Sequence, residues 1–582
     1  MLKNISEKIS IFTRVVQLVY RIDPVLAFVR DILLFIVIWL TMESIKIGGQ
    51  FIDSTASLLS TWNTFNITDY IYTESFYYLS LGLSIWMVIT SLNAIREYVY
   101  QVVVKKLTYH MQGELLEVLS KSNLEDVESK KFRDLLTMVP TFGYENVIGI
   151  YGQYSVGLNG LIKSVSAIVI LFSTMGISSL LVITFPLLEN IFGHINRQKR
   201  KRYNDDSVET IKKTNYLETL MTRIPYFAEL RVDNTFKYLK NTYATDSKKY
   251  MDGLISLDGH FYIDSTLGTV LGRLFAMIYV VFALAYAFTV KLSIGSFKAI
   301  YDYIQTAYDG LNEFYSAFFR ISTFIDYAKS YFEYIDFKGF GDVEHGQIVL
   351  KDQTPRLTIK NLKFNYPGTS KLTLKDIDLD IAPGSNIAVI GGDGSGKSSL
   401  IKVMCGLYKI DGGEYLVDGY RIQDLHRGQL KKQISVVFQD FVNYNLSIKE
   451  NIALTHLGKY LNRKVYDQVI KICEIDKMMK KEDLDEDQIL GKYFSNGKEL
   501  SPGYWQRLAI ARMLYRNKNV LIMDEPFTYI DGKAKERILK NVLQFAGKEK
   551  TVIYITQDHD LKHLFDNVLY LKDGKIYSED KS

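Results

Sequence analysis

Cysteine is nearly absent from this chain, and its charges almost balance. Two cysteines, Cys405 and Cys473, occur among 582 residues, which excludes a disulfide framework and argues against a thiolate metal cluster. The 70 basic and 65 acidic residues leave a net charge of only +5, so no domain has the basic character of a nucleic-acid-binding protein. Hydrophobic residues make up 47% of the chain, which excludes a wholly disordered or collagen-like protein.

Long apolar stretches recur through the first 330 residues and are missing from the rest. A cleavable signal peptide is not expected, because the first 23 residues carry several charges and no small-residue cleavage site. Since about 20 residues are needed to cross the hydrocarbon of a bilayer, the sequence predicts six spans. They are residues 24–42, 76–92, 158–175, 177–195, 267–290 and 297–324. The sixth carries several charged side chains, which is typical of a helix that lines a wet cavity or packs on protein.

The charges of the connecting loops predict how the spans are oriented. The stretches that follow the second and fourth spans are basic, whereas the predicted loop at residues 43–75 is not. Because basic loops stay in the cytoplasm, we expect a multi-pass protein of the cell membrane with its N-terminus and, after six spans, its C-terminal half in the cytoplasm. Residues 97–155 and 196–262 have amphipathic periodicity and are predicted to extend the spans as cytoplasmic helices.

A glycine-rich loop marks the C-terminal half, where short alternating strands begin near Ile348. The segment SNIAVIGGDGSGKSSL predicts a buried strand, a loop and the start of a helix. It fits the phosphate-loop pattern G-x-x-x-x-G-K-[ST], in which backbone N–H groups and the helix N-terminus surround a phosphate. Lys397 is expected to reach the β- and γ-phosphates, and Ser398 to bind Mg²⁺. The predicted ATP-binding residues of this loop are Gly391, Gly392, Asp393, Gly394, Ser395, Gly396, Lys397, Ser398 and Ser399.

Two adjacent carboxylates follow a second buried strand. In NVLIMDEPF, four apolar residues lead into Asp524 and Glu525. Open α/β sheets bind ligands at the C-terminal ends of their parallel strands, so both side chains are predicted at the edge that also holds the glycine-rich loop. Asp524 is the candidate Mg²⁺ ligand, through water, and Glu525 is the candidate catalytic group that polarises the attacking water.

Taken in chain order, the glycine-rich loop, VVFQD, ELSPGYWQRLAIAR and VLIMDEPF resemble the nucleotide-binding domain of an ABC transporter. Six spans ahead of that domain resemble the exporter type, and QDFVNYNLSIKENIAL with the tryptophan in SPGYWQ is most similar to bacterial lantibiotic and peptide exporters. The resemblance implies a multidomain membrane protein, with a six-helix, all-α transmembrane domain at residues 1–330 and an α/β P-loop ATP-binding domain at residues 344–582. It also implies ATP hydrolysis coupled to transport, with ATP and Mg²⁺ as cofactors.

The resemblance assigns roles to further residues. Tyr366 is implied to stack on adenine, which needs a flat apolar face. Gln439 is implied to contact Mg²⁺ and the attacking water and to link to the membrane domain. Ser501 and Gly503, at the start of a helix, are implied to contact the γ-phosphate of ATP bound to a second subunit, and Asp531 is implied to face that subunit.

Three departures from the family pattern make slow hydrolysis the expectation. Pro502 and Tyr504 replace the first glycine and the glutamine of the signature LSGGQ; proline lacks an N–H that could bind phosphate, although the first turn of a helix tolerates it. Gln557 replaces the histidine that follows the last core strand, and as a candidate catalytic residue it can donate a hydrogen bond to the γ-phosphate but carries no charge. His559 could substitute only if the loop bends. Lastly, TYID stands where SALD is usual.

One set of spans and one nucleotide-binding domain predict a half-transporter. By resemblance, each ATP lies between the phosphate loop of one subunit and the signature of another, so a dimer is required, and a twofold homodimer is the simplest form. A heterodimer in which this chain is the weakened subunit is an alternative that the departures favour and the intact Glu525 opposes. An ATP-gated sensor without transport is another. Export of a peptide, lipid or amphipathic small molecule is expected, and the sequence does not decide among these cargoes.

Two short helices at the cytoplasmic tips are expected to connect the domains. By resemblance, segments near residues 123–126 and 228–236 dock on nucleotide-binding domains near Gln439, the second on the domain of the partner subunit.

Charged residues within the spans lead to a further expectation. Lys163 and Glu189 each lie 13 residues from Gly176, so they share a depth in adjacent antiparallel spans, and Arg273 could reach the same level. Either these side chains extend toward the cytoplasmic interface, or Glu189 pairs with Lys163 or Arg273 and lines the transport path.

Overall fold

The computed structural model describes residues 2–61, 66–139, 143–339, 343–369, 371–454 and 461–578. The chain forms two compact units. The first comprises Met1–Ser120 and Asp134–Phe337, and the second comprises Lys121–Arg133 and Lys338–Ser582. Within the described ranges, the first unit is helical and all strands belong to the second.

The first unit is dominated by helices long enough to cross a membrane. In chain order, the helices up to residue 335 are α1 Leu2–Ile22, α2 Pro24–Thr61, α3 Ile67–Tyr70, α4 Glu74–Lys121, α5 Leu124–Glu128, α6 Lys130–Met138, α7 Tyr144–Met175, α8 Phe185–Asp206, α9 Val208–Thr222, α10 Ile224–Val232, α11 Thr235–Val290 and α12 Ile294–Ile335. Four helical stretches among the described residues are apolar and long enough to span: α2, α4, Tyr144–Asp206 and α11. The sixth predicted span lies within α12, which is more polar, as expected.

The chain reverses direction inside the stretch Tyr144–Asp206. Helix α7 ends before Gly176, which has a φ of 63°, and a 3₁₀ turn leads into α8. The amide nitrogen of Asn159 on α7 donates to Glu313 at 2.7 Å, and that of Asn190 on α8 donates to Asn312 at 2.7 Å. Because neighbouring residues of α12 are reached from both sides of the turn, α7 and α8 run antiparallel. This stretch therefore supplies two spans, and with α2, α4, α11 and α12 the transmembrane unit has six.

The predicted loop at residues 43–75 is wrong for its first part, because α2 continues as a helix to Thr61. Its polar side chains have partners within the helical unit. Asp53 accepts a hydrogen bond from the backbone N–H of Gly295 at 2.7 Å and from the Ser293 hydroxyl at 2.6 Å. An acceptor at the start of a helix satisfies N–H groups that have no partner within the helix. Asp53 therefore caps α12 from a neighbouring helix.

Helices α7 and α12 approach each other closely. A Cβ added to Gly160 would lie 2.4 Å from the backbone oxygen of Gly310, and one added to Gly310 would lie 2.8 Å from the backbone oxygen of Gly160. Small residues at facing positions allow membrane helices to pack backbone against backbone. The two glycines therefore fix the distance between these helices.

Lys163 and Arg273, the cations expected near Glu189, pair with carboxylates of α12. The Nζ atom of Lys163 lies 3.5 Å from Oε1 of Glu313, and Nη2 of Arg273 lies 3.3 Å from Oδ1 of Asp309. Glu189 accepts a hydrogen bond from a tyrosine hydroxyl of α12 and forms no ion pair with any residue that the structure describes. Of the two alternatives, the structure does not show the pairing of Glu189 with Lys163 or Arg273, because both cations pair with carboxylates of the sixth span.

The second unit contains two sheets and several short helices. Its strands are β1 Leu357–Phe364, β2 Leu374–Ile381, β3 Asn386–Ile390, β4 Gly412–Val417, β5 Tyr420–Arg421, β6 Ile434–Val437, β7 Val520–Asp524, β8 Thr551–Thr556, β9 Asn567–Lys572 and β10 Lys575–Ser578. Its helices after residue 338 are α13 Lys397–Met404, α14 Gln429–Gln433, α15 Ile448–Ala453, α16 Arg463–Ile472, α17 Ile475–Glu482, α18 Pro502–Tyr515 and α19 Gly532–Ala546. Helix α5 also belongs to this unit.

The larger sheet positions the functional site. Its strand order is β10-β9-β3-β8-β7-β6, with all neighbours parallel except the antiparallel β10. Every residue of β7 is buried, because alternate side chains enter two separate cores: Leu521 belongs to one and Ile522 to the other. In register, Ile390 pairs with Thr556 and Asp524 with Ile555. The ends of β3, β7 and β8 therefore meet at one edge.

Helix α5 packs against the rest of the second unit. Leu124 contacts the hydrophobic core that contains Tyr408, the Tyr408 hydroxyl donates a hydrogen bond to Glu128, and the Arg427 guanidinium donates to the backbone oxygen of Lys121 at 3.2 Å. Residues 123–126 therefore pack on this unit as expected, through Tyr408 and Arg427, and their predicted position near Gln439 stays a prediction. The segment 228–236 lies in the first unit, and its expected contact with a partner subunit stays a prediction.

Candidate functional site

The glycine-rich loop connects β3 to α13 at the C-terminal edge of the larger sheet. Gly394 and Gly396 have φ values of 73° and 108°, a conformation that residues with side chains rarely adopt. A Cβ added to Gly391 would lie 2.5 Å from the backbone oxygen of Leu571. The path of this loop therefore requires glycine at three positions.

Lys397 joins the loop to the carboxylates. It is the first residue of α13 and is 7% exposed. Its Nζ atom donates to the backbone oxygens of Gly391 at 2.8 Å and Gly392 at 3.0 Å, and it lies 3.4 Å from Oε1 of Glu525. One ammonium group thus contacts both predicted elements of the site.

Asp524 and Glu525 follow the buried strand β7 and face the loop. The Ser398 hydroxyl and the Gln439 backbone N–H each act to lower the pKa of the Asp524 carboxyl. The side-chain amide of Gln439 donates to Oε2 of Glu525 at 3.4 Å. Burial, together with the neighbouring charge of Glu525, raises the pKa of Asp524 to about 6, although Ser398 and Lys397 lower it. A carboxylate in such surroundings favours a nearby cation.

The residues at this edge fit a magnesium ion. Oδ1 of Asp524 and Oγ of Ser395 are buried and have no hydrogen-bond partner among the described residues. No group of three or more His, Cys, Asp or Glu in the described part of the chain could hold a metal alone. Mg²⁺ needs no such cage, since it is bound through one or two carboxylates together with the phosphates of a substrate.

Gln557 lies at the same edge, directly after β8. It lines a cavity of about 830 Å³ together with His559 and residues 390–395 of the glycine-rich loop. The ring of His559 stacks on Tyr570, with 6.0 Å between the centroids. Asp558, which lies between Gln557 and His559 in the chain, forms an ion pair with Lys535 of α19. The structure therefore brings Gln557 beside the predicted phosphate site and holds the His559 ring against a neighbouring tyrosine.

Replacing Gln557 by histidine is expected to raise ATP turnover several-fold, because an imidazole can carry charge and shuttle a proton whereas an amide cannot. The steady-state ATPase rate of the purified protein measures this. His559→Ala is the matched control, since its ring stacks on Tyr570 and its loss should leave the rate unchanged. A drop in the His559→Ala variant would mean that His559 already supplies the missing imidazole.

Known proteins share these features. The sequence model of the ABC transporter family matches residues 374–528, which contain the glycine-rich loop and both carboxylates. Over these residues the chain is similar to ABC transporters. It is 24% identical over 478 residues to the subtilin transport ATP-binding protein of Bacillus subtilis, which covers 80% of this chain and 76% of that protein. It is also 24% identical over 499 residues to the nisin transport ATP-binding protein of Lactococcus lactis subsp. lactis, with coverages of 84% and 82%.

The fold of the chain is similar to that of an ABC exporter. The structure of a bacterial Atm1-family ABC exporter with ATP bound matches it with a TM-score of 0.77 and 20% identity, over 96% of this chain and 95% of that chain. The predicted fold class, a six-helix transmembrane unit followed by an α/β ATP-binding unit, is confirmed. The transporter binds ATP and couples its hydrolysis to export.

The signature of the transporter begins helix α18. Pro502 occupies the first turn, where its missing N–H interrupts no helical hydrogen bond, and the exposed Ser501 precedes it as the N-cap residue. A Cβ added to Gly503 would lie 2.6 Å from the backbone oxygen of Tyr529. Within the described ranges, no hydrogen bond joins Ser501 or Gly503 to the glycine-rich loop, so the structure does not bring these predicted site residues together with the others in one chain.

Tyr366 and Asp531 make structural contacts besides their predicted roles. The Tyr366 hydroxyl forms a hydrogen bond with the Ser399 hydroxyl at 3.0 Å, and its ring meets that of Tyr408 edge-on, with 5.5 Å between the centroids. Tyr366 therefore lies beside the helix that follows the glycine-rich loop. Oδ1 of Asp531 accepts a hydrogen bond from the Ala534 N–H at 3.0 Å and caps α19.

Sequence reasoning missed Gln506, which connects the signature helix to the catalytic edge. Gln506 is 1% exposed. Its amide donates to the backbone oxygen of Glu525 at 3.2 Å and accepts from the N–H of Tyr529 at 2.9 Å. The available signal was a glutamine directly after Trp505 in a helix rich in apolar residues, since a buried polar side chain needs partners.

Glu474 was also missed and holds the signature helix to its surroundings. It is 6% exposed and contacts Arg507 of α18 at 2.9 Å, Arg537 of α19 at 3.1 Å and Lys477 at 2.8 Å. Burial alone would raise the pKa of this carboxyl, but the hydrogen bonds from Arg537, Lys477 and Arg507 outweigh it and lower the pKa to about 2. Glu474 therefore remains ionised and fixes α18 relative to α19.

Replacing Glu474 by glutamine is expected to destabilise the ATP-binding unit by about 2 kcal/mol, the range for hydrogen bonds to a charged group. Because the pKa of Glu474 is lowered in the folded state, its contribution is complete above its ordinary value near 4.5 and declines as the pH falls toward 2. Melting curves at pH 7 and pH 4 compare the variant with wild type. Glu536→Gln, which breaks an exposed pair with Lys540, should leave the stability almost unchanged, because water and salt screen such pairs. Equal effects of the two substitutions would contradict the prediction.

Proposed function

We propose that this ABC transporter exports a peptide across the cytoplasmic membrane as one half of a homodimer. Relatives that match the chain over most of their length are named for the transport of subtilin and nisin, which supports a peptide cargo over a lipid or an amphipathic small molecule. One observation carries the ATP-driven step: Lys397 and Gln439 each lie 3.4 Å from a Glu525 oxygen at the edge that holds the glycine-rich loop.

In this proposal the phosphates of ATP bind to the loop at residues 391–398, and Lys397 neutralises their charge. Ser398, Gln439 and Asp524 hold Mg²⁺, which shields the phosphate oxygens when bound. The adenine stacks against Tyr366. The positive φ values of Gly394 and Gly396 allow backbone N–H groups of the loop to point at the bound anion.

Glu525 is the proposed catalytic base. Lys397 and Gln439 orient its carboxylate from two sides, so that it accepts a proton from the attacking water. Gln557 follows β8, the strand between β3 and β7, and donates a hydrogen bond to the γ-phosphate. Because this amide supplies no charge and Pro502 supplies no N–H, hydrolysis is slow.

A second copy completes the site. Ser501 and Gly503 of one subunit contact the ATP held by the loop of the other, and Asp531 lies at the same interface. A twofold axis creates two equivalent sites of this kind. The intact Glu525 supports a homodimer, since both sites then contain a catalytic carboxylate. Copurification of two differently tagged copies of this chain from one cell tests the homodimer, and a failure to copurify favours a heterodimer.

The loop charges support the orientation, with both termini and the ATP-binding unit in the cytoplasm. We further propose the functional division as a transmembrane domain at residues 1–330 and an ATP-binding domain at residues 344–582.

Transport by the purified protein in sealed proteoliposomes tests the proposal. ATP is added outside, where outward-facing ATP-binding units use it, and uptake of a labelled amphipathic peptide into the lumen is measured. Glu525→Gln in the same vesicles is the control for ATP-driven movement. Uptake that depends on ATP and on Glu525 supports peptide export. Movement of a fluorescent phospholipid or a dye, but not of peptides, would replace the peptide with that cargo, and ATP turnover without movement of any of these would favour a sensor.

A further inference from the structure

A polar cavity lies within the transmembrane unit, apart from the ATP site. Its volume is about 460 Å³, in the range of sites for small molecules and head groups. Helices α2, α4, α7 and α12 all contribute to its wall. The lining residues on which the argument rests are Arg30, Arg96, Glu97, Tyr100, Asn159 and Glu313.

Arg30 enters the wall of this cavity from α2 and is 2% exposed. Its Nε and Nη2 atoms both donate to Asp31, and its guanidinium carbon lies 4.8 Å from the ring centre of Tyr151. Its Nη1 atom is buried and has no hydrogen-bond partner among the described residues. A buried N–H without an acceptor is destabilising, so this position calls for an acceptor.

Arg96, on helix α4, also has a hydrogen-bond donor without an acceptor. Its Nη1 atom is also buried without a partner in the part of the chain that the structure describes. Beside it, the rings of Tyr100 and Tyr151 stack with 5.4 Å between their centroids, which holds α4 against α7. Arginines converging on one cavity are the side chains that proteins use to bind phosphate and carboxylate oxygens.

Two carboxylates line the cavity with the arginines. Glu313 accepts from Asn159 at 2.7 Å and lies 3.5 Å from Nζ of Lys163, and Glu97 accepts from Gln101 at 2.8 Å. A carboxylate has about four acceptor positions, so each can accept a further donor. With two arginines and two glutamates, the lining has no net charge, which matches a ligand that carries both signs.

The level of the cavity points to the polar surface of the bilayer. Arg30 lies near the start of the predicted span at residues 24–42, and Arg96 follows the end of the predicted span at residues 76–92. The ends of apolar runs lie at the level of the lipid head groups. A ligand at this depth would most directly come from the membrane itself.

We propose that the cavity binds the head group of a zwitterionic phospholipid whose cation is an ammonium group, as in phosphatidylethanolamine. The phosphate oxygens accept hydrogen bonds from Arg30 and Arg96, and the ammonium group donates to Glu97 and Glu313. A choline head group has no N–H to donate, and a phosphatidylglycerol head group has no cation for the carboxylates. The site therefore recognises both the negative phosphate and the positive ammonium group of the lipid head group.

Titration of the delipidated full-length protein with single lipids tests this, with bound lipid counted by native mass spectrometry. Palmitoyl-oleoyl phosphatidylethanolamine is expected to bind about tenfold more tightly than the choline or glycerol lipid of the same chains, the ratio for one hydrogen bond to a charged group. Arg96→Gln should weaken the binding of all three lipids, because they share the phosphate group. Glu97→Gln should lower the ethanolamine preference by loss of the ammonium partner. Arg21→Gln, an exposed arginine outside the cavity lining, is the matched control and should retain it.

Equal binding of the three lipids by the wild type, or unweakened binding of all three by Arg96→Gln, would overturn the proposal. A further arm uses glycerophosphoethanolamine without acyl chains. If this soluble probe competes as well as the lipid at equal concentration, the cavity is a site for a small phosphoethanolamine compound and the lipid assignment is wrong. The experiment measures lipid binding without ATP, so its result does not depend on whether the protein exports peptides.

Discussion

Replacing Lys397 by alanine is expected to abolish the ATP-induced increase in the melting temperature of the purified transporter. In the folded chain its ammonium group contacts two backbone oxygens of the glycine-rich loop and Glu525. Without it, the phosphates lose their one cationic side chain in the loop, and the loop loses its link to the carboxylates. A ligand at 100 times its Kd stabilises the folded state by about 2.7 kcal/mol, and this contribution should disappear. Thermal melts with and without MgATP measure the difference.

The comparison is made between melts of the same variant, because removing Lys397 also alters the stability without ATP. Lys397→Arg keeps the charge but replaces a compact ammonium with a planar fork, so it should restore only part of the shift. Lys540→Ala removes an exposed lysine of α19 and should leave the shift at its wild-type size. A full shift in Lys397→Ala would refute the assignment of the phosphate site.

Glu525→Gln is expected to lower ATP turnover about 10²–10⁴-fold, the usual contribution of a positioned base, while ATP binding persists. Glutamine has nearly the same shape but cannot accept the proton of the attacking water. The substitution also removes a negative charge next to Asp524. Asp524 should therefore bind its cation at least as well as in the wild type. Steady-state ATPase assays measure turnover, and the ATP-induced melting shift measures binding in the same preparation.

The matched control is Glu549→Gln. Glu549 is exposed and lies just before β8, at the opposite edge of the sheet from the site, so its loss should leave turnover unchanged. If Glu525→Gln hydrolyses ATP at the wild-type rate, another group is the base. If it also loses the ATP-induced shift, its effect is on binding rather than on the chemical step.

The catalytic edge could be predicted from sequence because its parts are local. A buried strand followed by a glycine-rich loop and a helix start fixes the position of Lys397, and a second buried strand fixes Asp524. Parallel register then brings the two strand ends together. Each of these elements is recognised from a short stretch of sequence, so the positions of Lys397 and Asp524 could be predicted directly.

Contacts between residues far apart in the chain could not be predicted in this way. Glu474 lies on a connection between two helices, and its arginine partners follow 33 and 63 residues later. Lys163 has a carboxylate partner 150 residues away on α12, whereas spacing from the turn had suggested Glu189. Depth in a membrane can be counted along a helix, but the direction in which a side chain points depends on how the helices are rotated against each other.

The close contact of Gly160 with Gly310 also limits how the transmembrane unit can deform. Helices α7 and α8 form a hairpin whose two arms are both fastened to α12, one through these glycines and Glu313, the other through Asn312. Sliding any one of the three along its axis would break backbone packing and buried hydrogen bonds together. The three helices should therefore move as a single rigid body, and changes of shape during a transport cycle should occur as tilts at the borders of this body rather than as shear within it.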